Sequence, residues 1–315
     1  MTDRSDTHFL PEITVVAGVI RGPDDRICLS RRPQHKHQGG LWEFPGGKVE
    51  PGEPLHEALA RELSEELGMV ATSSVPFMTV EHRYPDLRVV LHFREVSAWR
   101  GDPHGREGQP VEWVPLADIA ERAFPAANRP VALALHLPPE LVVTPPDLSA
   151  AVLLQGLERL DVRRQGVYLR GYNQSPVLTE LTACCRRRGL RFWIGDDAAL
   201  ARREKAFGLH LTSSSLAALD SAPEFDGVLS AACHDSEQID RALALGCRMA
   251  TLSPVAATAS HADAEPLGWD GFHRQVREQP LVFYALGGVT PEELLRAREH
   301  GGFGVAGIRA FWPQP

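Results

Sequence analysis

Leucine recurs every fourth residue at Leu55, Leu59, Leu63 and Leu67, and this spacing predicts a helix over 55–67 with one apolar stripe. Glu62, Glu65 and Glu66 gather on another face of the same helix. Around it the runs ITVVAGVI, RICLSRR, RVVLHFREVSAW and VEWVPL read as strands, so the chain up to about His136 predicts a mixed α+β domain. HLPPE and TPPD punctuate the chain near 136–147, and beyond them short apolar runs alternate with helical stretches. The expected strands are LVVT (141–144), GVYLR (166–170), RFWIG (191–195), GLHL (208–211), GVLSAA (227–232), RMATLSP (248–254), LVFYALG (281–287) and GFGVAGI (302–308). Three of the intervening stretches, TELTACCRRRG, SEQIDRALALG and PEELLRAREHG, end in glycine as helices do, and right-handed crossovers would close such units into a (β/α)8 barrel. The 175 residues from Leu141 onward are few against the roughly 250 typical of that fold. Only RAFWPQP follows the last strand, so the final helix is expected to be nearly absent. The expected domains are 1–138 and 139–315.

Composition narrows the partners. A chain of 315 residues with 43% hydrophobic and 23% charged residues is that of a soluble globular protein. The formal net charge of −8 argues against a groove for a nucleic-acid polymer, while a small anionic substrate remains possible if metal ions supply positive charge. MTDRSDTHFL has no apolar signal core and no run has membrane-spanning length, so a cytoplasmic protein without membrane contact is expected. Cys28, Cys184, Cys185, Cys233 and Cys247 show no C-x-x-C spacing and read as reduced, mostly buried thiols.

Taken alone, the three glutamates are more often a solvated face than a site. Two features favour a site. Like charges at i, i+3 and i+4 repel unless a cation sits among them, and Arg61 is too little to neutralise the group. The helix also follows a glycine loop, FPGGKVEPGE, whose backbone can approach a ligand and offer carbonyls to a hard cation. Carboxylates with a carbonyl suit Mg²⁺, or Mn²⁺.

Gly47, then five residues, Glu53, then seven, then RELSEELGM from Arg61 to Met69 resembles the signature of Nudix hydrolases at every specified position. That resemblance implies metal-assisted attack of water on phosphorus in a domain with a mixed sheet in an α/β/α sandwich. Glu62, Glu65, Glu66 and the Gly46 carbonyl would hold metal, Arg61 would orient a glutamate, and Glu53 would be a secondary ligand or helix-orienting carboxylate. The general base stays open between Glu65 and Glu107, the latter in GREGQ and a possible further ligand. LSRRPQHKHQGGLWEFPGGKVEPGE, YPD, WRGDPHGREGQPVEWVPL and FPAANRPV resemble, in order and spacing, the MutT-type 8-oxo-dGTP diphosphatases. By that resemblance Arg32 and His37 face phosphates or sugar, Glu43, Phe44, Pro45 and Gly46 line the pocket with Phe44 against the base, Tyr84 keeps base contact although the family commonly has phenylalanine there, and Asn128 reads the purine. Singly, Asn128 would be a turn residue and Phe44 and Tyr84 core. The implied role is sanitation of the nucleotide pool in the service of DNA repair and replication fidelity.

GLHL, SPVAATASHADAEPLGW, YALGGVTPEEL and GVAGI resemble thiamine phosphate synthases and the related TenI proteins over most of 141–308. The resemblance implies a phosphate cradle at Gly287, Gly288 and Gly307. Ser215 stands where the synthases carry an acidic metal ligand, His261 where they carry lysine, and Pro254 where the tautomerases use histidine, while Asp196 is kept. These departures lead to the expectation of a barrel without synthase chemistry that binds a phosphate ester or is structural. Two readings of the whole chain follow: an 8-oxo-dGTP diphosphatase carrying such a barrel, or a thiamine-related diphosphate hydrolase or transferase in which the barrel sets the substrate.

Overall fold

The computed structural model describes residues 10–22, 24–35, 38–146, 148–258 and 264–313, and it divides into two compact units meeting between residues 129 and 130. His37 and His261 lie outside the described residues.

The first unit runs β1 (Glu12–Ile20), β2 (Arg26–Arg31), β3 (Trp42–Glu43), β4 (Gly46–Lys48), α1 (Leu55–Leu67), β5 (Val70–Arg83), β6 (Arg88–Arg100) and β7 (Val111–Pro115). A mixed sheet has the order β4-β1-β6-β5, with β1 and β6 parallel and the other pairs antiparallel; β3-β2-β7 form a second, antiparallel sheet. Helix α1 has the bounds that its leucine spacing predicts. Leu59, Leu63 and Leu67 are fully buried against Val16, Ile20 and Val96. Gly68 ends the helix in the left-handed region at φ 66°, and Met69 N–H reaches Leu63 O at 3.3 Å, a Schellman-type stop that a Cβ would strain.

Strand β5 is absent from the strand runs read in the sequence. VATSSVPFMTVEHR breaks the period of two, because register shifts between Ala71 and Ser73, Ser73 and Ser74, and Pro76 and Met78 move residues between faces. Strands β3 and β4 are further differences: Trp42 and Glu43 pair with β2, and the glycine loop is partly a ladder, with Val16 opposite Gly47 and Ala17 opposite Gly46.

After α2 (Arg129–Ala134) the second unit repeats strand and helix: β8 (Glu140–Val143), α3 (Ala150–Arg159), β9 (Gln165–Tyr168), α4 (Leu178–Arg188), β10 (Phe192–Gly195), α5 (Ala198–Arg203), β11 (Gly208–Leu211), α6 (Ser213–Ala218), β12 (Val228–Cys233), α7 (Ser236–Ala244), β13 (Met249–Leu252), α8 (Gly268–Val276), β14 (Val282–Leu286), α9 (Leu294–Glu299) and β15 (Gly304–Gly307). All strand pairs are parallel and close into a barrel, β8 pairing with both β9 and β15. Each of the eight expected strands is present, shifted by at most a few residues. Phe192 and Ile194 face the helical layer, and Trp193 between them faces the barrel interior. Glycines on the neighbouring strands make room for the indole: a Cβ at Gly208 would lie 2.0 Å from Trp193 Nε1 and one at Gly166 2.8 Å from its ring.

The five cysteines are free and buried, and burial pushes the Cys28, Cys185, Cys233 and Cys247 thiols up to about 12. No helix among the described residues is long and apolar enough to cross a membrane.

Burial has a consequence for acid stability at His210. Its ring, packed 4.6 Å from the Tyr168 ring, is held down to about 4 by desolvation, against which the Asp196 charge works upward. The unfolded chain therefore takes up this proton first, at about 6.5. Stability conferred by neutral His210 is present above that pH and is lost as the pH falls towards 4, by an upper bound of about 3 kcal/mol. The denaturant midpoint of His210→Gln should fall less steeply than that of the parent between pH 6.5 and pH 4; equal slopes would mean that this ring does not carry the effect.

Candidate functional site

A cavity of about 620 Å³ opens in the first unit, within the range of ligand pockets. Arg32, Glu43, Phe44, Gly46, Gly47, Glu62, Glu66, Tyr84, Glu107 and Asn128 line it. Glu62 and Glu66 stand one helical turn apart on α1 and so project to the same side. Opposite them, the glycine strand β4 comes so close that a Cβ at Gly47 would lie 2.2 Å from the Glu62 carboxylate, and one at Gly46 would lie 2.1 Å from Val16 O. Glycine is what lets a carboxylate lie on a strand backbone here. Gly46 N–H donates to Glu66 Oε2 at 3.3 Å.

Arg61 ties loop and helix together. Its Nε and one terminal nitrogen hold Glu53 in a bidentate pair, both at 2.9 Å, and further bonds reach Glu62 Oε1 at 2.9 Å and Lys48 O at 3.0 Å. The Arg61 hydrogen bonds, helped by Glu50 N–H, hold the Glu53 carboxyl down to about 2, so it stays ionised. Glu53 and Arg61 themselves stand outside the cavity wall and act on it through Glu62.

Glu107 arrives from another direction. The 102–109 loop docks on the end of α1 through His104 N–H to Leu67 O at 3.1 Å, Arg106 N–H to Glu66 O at 2.9 Å and Arg106 to Ser64 O at 3.0 Å. Gln109 bridges the two acids' backbones, accepting from Glu107 N–H at 2.9 Å and donating to Glu66 O at 3.0 Å. The sequence carries no signal for this role of Gln109, because its partners are backbone atoms and the one on the helix is 43 residues away.

Glu66 records the crowding. Burial first, then the charges of Glu43, Glu107 and Glu62, push its carboxyl up to about 7 against the pull of Gly46 N–H. Among the described residues no group of three or more His, Cys, Asp or Glu is already gathered tightly enough to hold a metal. Four glutamates on one cavity wall, one of them raised by its neighbours, are nevertheless a donor set that fits a hard divalent cation after rotamer adjustment.

Glu65 departs from the expected set. One position short of Glu66, it is turned about 100° around the helix, its side chain is 60% exposed, and its neighbour is Arg61 at 3.6 Å. It does not line the cavity. Pro45 does not line it either, and its carbonyl accepts from Gly18 N–H at 2.8 Å. The Phe44 ring is packed between Phe93, edge-on at 5.5 Å, and Phe124, stacked at 5.6 Å, so it supports the wall as part of the core. Arg32 pairs with Glu43. Asn128 is 6% exposed in the turn Ala126–Asn128, and its amide has no hydrogen-bond partner among the described residues, so its donors and acceptor face the cavity unengaged. Lys48 and Gln38 also line the cavity and were not singled out from the sequence.

The barrel has its own cavity of about 440 Å³, with Gly287, Gly288 and Gly307 on its wall. Asp196 is engaged elsewhere: its carboxylate accepts from Thr212 N–H at 2.8 Å and from Thr212 Oγ1 at 3.1 Å, and Thr212 caps α6.

With this geometry the comparisons agree. Residues 16–134 match the NUDIX domain family and residues 147–311 the thiamine monophosphate synthase family. The chain is 38% identical over 122 residues to an 8-oxo-dGTP diphosphatase of Escherichia coli (strain K12), covering 39% of this chain and 95% of that protein. It is 40% identical over 116 residues to an 8-oxo-dGTP diphosphatase of Haemophilus influenzae, covering 37% of this chain and 85% of the relative. A CTP pyrophosphohydrolase of Escherichia coli (strain K12) is 38% identical over 120 residues, 38% of this chain and 87% of that protein.

Proposed function

The chain belongs to the NUDIX family through its first unit and to the thiamine monophosphate synthase family through its second, and from that premise we infer that it is a Mg²⁺-dependent diphosphatase that hydrolyses 8-oxo-dGTP to 8-oxo-dGMP and pyrophosphate. The observation that carries this reading is the unengaged amide of Asn128 in the same cavity as four glutamates. An amide offers two donors and an acceptor, a match for a purine edge. Such an activity in the cytoplasm would clear oxidised nucleotides before a polymerase uses them, and so serve DNA repair and replication fidelity.

Glu62, Glu66 and Glu107, with Glu43 nearby, would hold the cation. When bound, a divalent cation neutralises phosphate oxygens and lowers the pKa of an attacking water. Glu107 is the better placed of the two carboxylates left open as general base, since it lines the cavity and Glu65 does not. Arg61 and Gln109 hold the acids in place, and Arg32 and Lys48, both on the cavity wall, would face the phosphates. The barrel, with Asp196 occupied by Thr212 and Ser215 in place of an acid, is read as having no synthase activity.

Pyrophosphate release from 8-oxo-dGTP, dGTP, CTP and oxidised thiamine diphosphate tests the reading; faster turnover of CTP or the thiamine compound than of 8-oxo-dGTP would overturn it. Within that panel Asn128→Ala should cost about 1–3 kcal/mol in kcat/KM toward 8-oxo-dGTP, with the preference over dGTP shrinking, because buried polar groups lose their partner. An equal loss toward both nucleotides would make Asn128 a support of its loop.

A further inference from the structure

Glu107 sits near the tip of the 102–109 loop, exposed and followed by Gly108, whose φ of 79° is in the left-handed region. The preferences of the local chain therefore do little to fix it. The bonds that dock the loop on α1 stop one residue short of it: His104 N–H reaches Leu67 O, Arg106 N–H reaches Glu66 O, and the Arg106 side chain reaches Ser64 O. Among the described residues the Glu107 N–H has one partner, the Gln109 side chain.

Gln109 stands on a firm frame. Its neighbour Pro110 accepts from Arg31 N–H at 3.0 Å, and the next residue, Val111, opens β7 opposite Ser30 of β2. From there its half-buried side chain reaches two backbones at once. Glu107 N–H can only donate and Glu66 O can only accept, so these two partners settle which end of the amide faces which: Oε1 toward Glu107 and Nε2 toward Glu66. A carboxylate in this place could accept but not donate, and an ammonium could donate but not accept. The amide meets both demands, and the two residues that it joins both line the cavity.

We propose that Gln109 is a positioning residue for the reaction assigned to the first unit: it sets the place of the Glu107 carboxylate in the cavity by fixing the backbone that carries it against the last turn of α1. The catalytic half of this inference rests on the reading of Glu107 given above; the placement of Glu107 by Gln109 does not. The docking bonds of His104 and Arg106 hold the loop without Gln109, so its loss frees the tip and leaves the fold.

Gln109→Met keeps the length of the side chain and removes both bonds. In the metal-free full chain, amide hydrogen exchange followed by magnetic resonance should be about tenfold faster at Glu107 N–H than in the parent and within about twofold of it at Arg106 N–H, which is bonded to Glu66 O. Unchanged exchange at Glu107 overturns the proposal. Equal acceleration at Arg106 also does, because Gln109 is then a staple of the whole loop. In pyrophosphate release from 8-oxo-dGTP at saturating Mg²⁺, kcat should fall about ten- to a hundredfold while KM stays within about twofold. In a Glu107→Gln background the same substitution should cost at most about twofold further, since its effect passes through that carboxylate. Parent-like kcat, or equal losses in both backgrounds, overturns the catalytic half. If Glu107→Gln itself turns over like the parent, the reading of Glu107 fails, and the exchange result still decides the placement.

Discussion

Glu66→Gln is expected to lower the rate of pyrophosphate release at saturating Mg²⁺ by at least about a hundredfold, because a neutral amide holds a hard cation poorly and the cation's charge stabilisation is worth several kcal/mol. In the metal-free protein the same change should raise the unfolding temperature. Glu66 is buried beside Glu43, Glu107 and Glu62, its carboxyl is pushed up to about 7, and the amide removes the repelled charge while still accepting Gly46 N–H. Activity and stability therefore move in opposite directions, which a mutation that merely damaged the fold would not produce. Turnover equal to the parent's at saturating Mg²⁺ rules out Glu66 as a ligand, and a lower unfolding temperature rules out the repulsion argument.

Arg61→Lys should cost about ten- to a hundredfold in turnover, the range for groups that orient metal ligands. One ammonium cannot hold both oxygens of Glu53, Glu62 Oε1 and Lys48 O at once, as the planar guanidinium does. The charge survives the substitution, so the loss measures geometry. Mn²⁺ affinity followed by spin resonance should weaken in parallel, since Glu62 loses its anchor. A lysine variant with full turnover and parent-like Mn²⁺ affinity would leave Arg61 as a surface ion pair of little consequence.

Helix α1 was legible from the chain alone, because its leucine stripe and Gly68 stop are local and need no partner to be recognised. The barrel was legible for a similar reason: eight short apolar runs between helical stretches have few alternatives to closing on themselves. Strand β5 was not, since its bulges erase the alternation that marks a strand. At the site, the chain determined which acids stand near the glycine loop, and it named Glu62, Glu66, Glu107 and Asn128. Which of them face one another depended on the angle of α1 against β4 and on the docking of the 102–109 loop. That geometry turned Glu65 outward, packed the Phe44 ring of the cavity wall between Phe93 and Phe124, and brought in Gln109. The barrel interior divides in the same way. The apolar runs GLHL and RMATLSP placed His210 and Thr251 on strands, but the contact of His210 with Ser230 and the unpaired hydroxyl of Thr251 follow from the closed barrel around them. A sequence carries spacing along the chain, while hydrogen-bond satisfaction depends on groups that only the fold brings together.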